Sequence, residues 1–94
     1  MQFTWDEHKN LKNIEKHKID FVDCIELFEQ PFVEGIDTRR DYGEERKIAL
    51  GECKGRILCV VYTIREGVYR IISVRKASHL ERMCFQNFTI NSGV

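Results

Sequence analysis

The sequence predicts an α+β domain: an antiparallel β-meander covered by two N-terminal helices, with a further helix at the C-terminus. Three observations carry this reading. Residues 56–65 and 68–75 are β-branched and aromatic runs separated only by Glu66-Gly67, the pattern of a tight hairpin. Apolar residues between 7 and 28 recur at helical rather than alternating spacing. Ser78 and Glu81 stand three apart, as in a capping box that opens a helix.

The 94 residues, 43% apolar and 32% charged, suit a single domain spanning 1–94 with a modest core. That length leaves no room for a two-domain enzyme with a deep cleft. No apolar run reaches membrane-spanning length, and Met1 to Asp6 lacks the basic and apolar regions of a signal peptide, so the expected location is the cytoplasm. Net charge is zero, yet unevenly placed. Residues 1–52 carry eight Lys/Arg against thirteen Asp/Glu, a net of −5, and residues 53–94 carry seven against two, a net of +5. Such polarity steers a polyanion to one half of the molecule or orients a charged protein partner. Cys24, Cys53, Cys59 and Cys84 show no C-x-x-C spacing and the three histidines are scattered, so no metal site and no cofactor is expected. Cys24, Cys59 and Cys84 read as small core residues.

Taken in order, Met1 to Trp5 is a short strand with Phe3 and Trp5 on one face. Asp6 caps a helix over roughly 7–17, which packs through Leu11 and Ile14 and solvates Lys9, Lys12, Glu15 and Lys16. Asp20 opens a second helix, with Phe21, Cys24, Ile25 and Phe28 on its apolar side, and Pro31 stops it. Phe32 to Asp37 is a short strand. The polar stretch Thr38 to Arg46, which includes Arg39, Arg40 and Glu45, is a loop of the kind that places binding residues on a rigid scaffold. Strands at 46–52, 56–65 and 68–75 form the meander, with the nearly all-apolar 56–65 at its centre. The last helix follows Ser78, with Leu80, Met83, Cys84 and Asn87 along one side and Phe85 and Phe88 widening its apolar surface, so it docks on the sheet or awaits a partner. Residues 89–94 are expected to fray.

Strict alternation over 68–76 puts Tyr69, Ile71, Ser73 and Arg75 on one face and Arg70, Ile72, Val74 and Lys76 on the other. By that count Arg70 and Arg75 do not share a face. The cations at the strand ends are either ordinary solvated termini or a cationic site at one rim of the sheet.

Several short motifs occur in a characteristic order: Phe3, Trp5, Asp6 and Glu7; Asn13, Lys16 and His17; Asp41 through Arg46; Ala49 and Gly51; Val61 to Thr63; Arg70 through Ala77; and Glu81-Arg82. Together they resemble the BrnT family of bacterial toxins over about residues 1–85. The resemblance implies a RelE-like fold and a ribonuclease that stops translation by cutting RNA. It also implies a BrnA-type antitoxin partner, through which alone the complex reaches operator DNA. The chain departs from the family pattern at Lys18, where Gly is common, so a left-handed helix stop there would be strained or differently built. It also departs in its last helix, where apolar residues surround Arg82.

Metal-free RNA cleavage uses the 2′-hydroxyl as nucleophile and needs a proton acceptor, cations for the charged transition state and an acid for the leaving oxygen. Arg75 is the first candidate for the phosphate clamp because a guanidinium stays charged and grips phosphate bidentately. Arg46 is the second. Glu45, His17 and Tyr62 are the candidates for proton transfer, and Arg65, Arg70, Lys76, Arg39 and Arg40 for wider RNA contact. A binding module without catalysis would equally use the charge polarity and the apolar last helix. A reader of single strands would stack bases on Trp5, Tyr42, Tyr62 or Tyr69.

Overall fold

In the computed structural model, which describes residues 1–92, the elements follow in the order β1 (Gln2–Trp5), α1 (Glu7–His17), a 3₁₀ helix (Phe21–Glu29), β2 (Val33–Ile36), β3 (Lys47–Cys53), β4 (Arg56–Arg65), β5 (Val68–Lys76) and α2 (His79–Ser92). The five strands form one sheet ordered β1-β5-β4-β3-β2. The meander from β2 to β5 is antiparallel as expected, but β1 joins its edge parallel to β5, making the sheet mixed. The chain leaves β1 through α1 and returns by way of the meander, so both strands run the same way.

One face of the sheet is closed by the 3₁₀ helix. The expected second α-helix is wound instead at three residues per turn, which stacks Phe21, Cys24 and Leu27 in a single fully buried row. Leu27 thereby takes the inward position that α-periodicity assigns to Ile25. The row packs on Ala49, Leu58, Val60, Tyr62, Ile71 and Val74. A Cβ on Gly51 would stand 2.5 Å from Cγ of Leu27, so the helix rests directly on strand backbone.

The first helix departs from the apolar-stripe expectation. Leu11 is 59% exposed, and the buried residues of α1 are Asn10 and Asn13. β1 pairs with β5 only over residues 68–71, which leaves the β5 edge beyond Ile71 without a strand neighbour. There α1 takes over. Asn13 Oδ1 accepts from the Val74 amide at 3.1 Å while its Nδ2 donates to the Ile19 carbonyl at 2.9 Å. Asn10 accepts from the Phe21 amide and donates to Asp20, fixing the start of the 3₁₀ helix. Asparagine carries both a donor pair and an acceptor, so one side chain satisfies an amide and a carbonyl that would otherwise be buried unpaired.

Between these two helices the chain turns at Lys18, whose φ of 61° and ψ of 32° are left-handed, with its amide bonded to the Ile14 carbonyl. The helix stop is therefore built in the usual way on a residue that carries a Cβ. On the opposite sheet face α2 docks through Phe85 onto Leu50 and Cys59, with Val33, Ile48, Ile57 and Phe88 around them. Its capping box forms, Glu81 N donating to Ser78 Oγ and Ser78 N to Glu81 Oε1. Cys84, expected in a core, is exposed on α2, while Cys24, Cys53 and Cys59 are buried. The helix continues through Thr89 to Ser92, and residues 93–94 of the expected frayed tail lie outside the described residues.

Asn13→Ala should lower stability by about 2–4 kcal/mol, because two buried backbone groups lose their partners, whereas Leu11→Ala should stay within about 0.5 kcal/mol. Denaturant unfolding of both variants checks this, and equal losses would contradict the polar role given to α1. Lys18→Gly should gain about 1 kcal/mol by relieving the left-handed backbone, read as a rise in denaturation midpoint.

Candidate nucleic-acid interface

The sheet face shared with α2 is covered only over its β2–β4 portion, and what remains open is built by β5, the end of β4 and the loop from Asp37 to Arg46. The pairing register settles which side chains stand there. β5 carries a bulge opposite Val61/Tyr62: Ser73 pairs with Val61, Ile71 with Tyr62, and Ile72 is the extra residue. Two residues opposite one reverse the alternation. Beyond the bulge Tyr69 and Ile71 therefore turn into the 3₁₀-helix core with Val74, and Arg70 turns to the face of Ser73 and Arg75. Arg70 and Arg75, separated by strict alternation, lie on one face.

Arg75 pairs across the sheet with Cys59 and is held by Glu81 in a bidentate ion pair of 2.6 and 2.9 Å. Glu81 also closes the α2 capping box, so one carboxylate ties the helix start to the guanidinium. Arg75 and the Ser78 amide together pull the Glu81 carboxyl down to about 2. Burial pushes the Cys59 thiol up to about 11, leaving it protonated and unreactive at neutral pH.

The 37–46 loop is organised by Asp37. Its carboxylate is fully buried and accepts from the Arg39 amide, Arg39 Nε and Nη2, and the Tyr42 hydroxyl. The Arg39 side chain fork, first among these, holds Asp37 well below the usual carboxylate range. Arg46 lays its guanidinium 3.9 Å from the Tyr42 ring centre and Arg40 sits at 5.8 Å. Arg46 Nε is buried without a protein partner. Arg65 pairs with Glu44. The Glu45 side chain is exposed, and its carbonyl accepts from the buried Thr63 hydroxyl.

His17 ends α1 beside the bulge, in a groove with Lys12, Lys16 and Ser73. Burial, then Lys16 and Arg75, lower its pKa. All three disfavour the charged imidazole. Lys76 is exposed at the end of β5, in a second groove with Arg56 and Arg82.

Tyr62 does not reach this face. It is fully buried on the opposite side, stacked on Tyr69 with ring centres 5.5 Å apart, and its hydroxyl bonds Glu34. Trp5 packs edge-on against Phe21, so of the four aromatic stacking candidates Tyr42 alone stands among the arginines. The strand-centre position of Tyr62 carried this signal, since alternate residues of β4 line the 3₁₀-helix core. Glu81 as the Arg75 partner was legible only as a capping residue; Asp37 gave no sign beyond its nearness to Arg39.

This small α+β domain thus presents an open sheet face lined by arginines, a charge pattern suited to a polyanion. A family model described as "Ribonuclease toxin, BrnT, of type II toxin-antitoxin system" matches residues 5–81, and the chain belongs to that family. Membership implies RNA as target and an antitoxin as partner. No curated protein matches the chain. No helix among the described residues is long and apolar enough to cross a membrane.

The Glu81 carboxyl sits near 2 in the fold against about 4.3 for an unperturbed glutamate. Its stabilising contribution is present above the unfolded value and is lost as pH falls through the folded one. Glu81→Gln keeps a side-chain carbonyl for the Ser78 amide but not the charge. The thermal stability advantage of the wild type over this variant should shrink between about pH 5 and 2; a gap that holds constant across that range would refute the assignment.

Proposed function

We propose that this chain is a metal-independent endoribonuclease toxin of RelE-like type, neutralised by a BrnA-type antitoxin. Family membership supports the ribonuclease class, and the observation that carries the mechanism is Arg75 on the open face, with Arg70 further along the same face and His17 at its border. RNA brings its own nucleophile, so the protein must position a phosphate, spread its transition-state charge and move a proton.

Arg75 grips the non-bridging phosphate oxygens in place of the Glu81 carboxylate, which occupies its fork in the same planar, two-point manner. Arg46, whose buried Nε lacks a protein acceptor, is the second phosphate ligand, and Arg39 and Arg70 add positive field. His17 accepts the 2′-hydroxyl proton as that oxygen bonds to phosphorus; the bond to the 5′-oxygen breaks, and the departing oxygen takes its proton from solvent. The products are a 2′,3′-cyclic phosphate and a free 5′-hydroxyl. Glu45, exposed near Arg46, is the alternative proton acceptor.

A second reading, in which the chain acts only by forming a complex, draws on Leu80 at 76% and Met83 at 46% exposure on the outer side of α2. Growth and bulk RNA integrity after controlled expression separate the two. The ribonuclease reading expects arrest with RNA breakdown, relieved by co-expression of the antitoxin, and fragments ending in cyclic phosphate. Arg75→Ala should cut the cleavage rate by about 10²–10³-fold, the cost of removing one transition-state donor. Full activity in that variant would remove Arg75 from the mechanism, and intact RNA with folded wild-type protein would leave the complex-forming reading.

A further inference from the structure

The ionic partners divide the cations of this chain into two groups. Arg39, Lys47, Lys54, Arg65 and Arg75 each have a carboxylate within salt-bridge distance. The other ten have none among the described residues, and six of these are Lys9, Lys12, Lys16, Arg56, Lys76 and Arg82. These six line the two grooves beside Arg75, of about 210 and 370 Å³, and neither groove has a carboxylate in its wall. The chain as a whole has fifteen acidic and fifteen basic residues, so two acid-free grooves are a local separation of charge.

Their placement along β5 gives the separation a direction. Ser73 lines the groove of α1, Lys76 lines the groove at the start of α2, and Arg75 lies between them. Three strand residues span about 10 Å. Three elements distant in sequence converge on the second groove: Arg56 opens β4, Lys76 closes β5, and Arg82 lies in the first turns of α2. Both grooves are shallow, which suits a passing chain.

We propose that these grooves are phosphate-backbone subsites on either side of Arg75, so that the protein binds single-stranded RNA lengthwise across β5. The proposal rests on the ribonuclease reading in taking RNA as the polyanion. Cations without an internal carboxylate release counterions when they meet phosphate, whereas paired ones must first exchange a partner. The grooves therefore carry affinity, and the Glu81-held Arg75 carries position.

The test uses a fluorescent 2′-O-methyl oligoribonucleotide of about 12 nucleotides, which has no free 2′-hydroxyl and cannot be cleaved by the proposed route. Anisotropy titrations between roughly 50 and 200 mM salt give the slope of log affinity against log salt. Arg56→Gln/Arg82→Gln and Lys12→Gln/Lys16→Gln should each reduce the magnitude of that slope by about 1.4, two single-strand phosphate contacts. Lys54→Gln, which removes a cation already paired with Asp23, should leave it unchanged. Unchanged slopes in both folded double variants, or an equal reduction from Lys54→Gln, would overturn the subsites. Because the probe reports binding without turnover, cleavage by wild type with unaltered slopes would reject the grooves and retain the ribonuclease. Slope losses as expected without any cleavage of natural RNA would do the reverse.

Discussion

The Asn13 side chain is the contact on which the rest of this structure depends. β1 is too short to cover the full length of β5, and a helix laid against a bare strand edge offers no backbone groups to pair with it. Asn13 supplies the missing acceptor to Val74 and, with its other end, ties down the chain where it turns toward the 3₁₀ helix. Asn10 repeats the arrangement one turn earlier against Phe21 and Asp20. The two side chains hold α1, the turn at Lys18 and the sheet edge as one unit, and His17 is carried to the border of the cationic face by that unit.

The bulge at Ile72 has the second structural consequence. With strict alternation, an apolar core and a cluster of arginines on the same strand would force some cations under the 3₁₀ helix. The extra residue lets Tyr69, Ile71 and Val74 all point into the core while Arg70, Ser73 and Arg75 all point out of it. Burial energy selects this register, since turning Ile71 and Tyr69 outward would expose two large side chains to water. The clustering of positive charge follows from where the apolar residues must go.

Charge on the open face is moderated by acids placed on neighbouring elements. Asp37, Glu44 and Glu81 each take the fork of one arginine, and the pairs hold the loop and the start of α2 against the sheet. Such pairs add little stability where they meet solvent. Their larger effect is geometric, because a guanidinium held by a carboxylate is already arranged for a phosphate of the same shape.

Taken alone, the sequence determined the order of elements, the hairpin at Glu66-Gly67, the start of α2 at its capping box and the family, because these reside in local propensity, turn chemistry and short motifs. It placed the apolar contacts of α1 on Leu11, since periodicity sees hydrophobic residues and not the bonding capacity of asparagine. It put Arg70 and Arg75 on opposite faces and offered Tyr62 as a site residue, since a single inserted residue reverses a strand and leaves no mark in composition. Tertiary structure decided the parallel edge strand, the 3₁₀ winding that lines up Phe21, Cys24 and Leu27, and the pairing of Arg75 with Glu81. Each of these depends on which surfaces meet, and that is set by the joint burial of residues far apart in the chain.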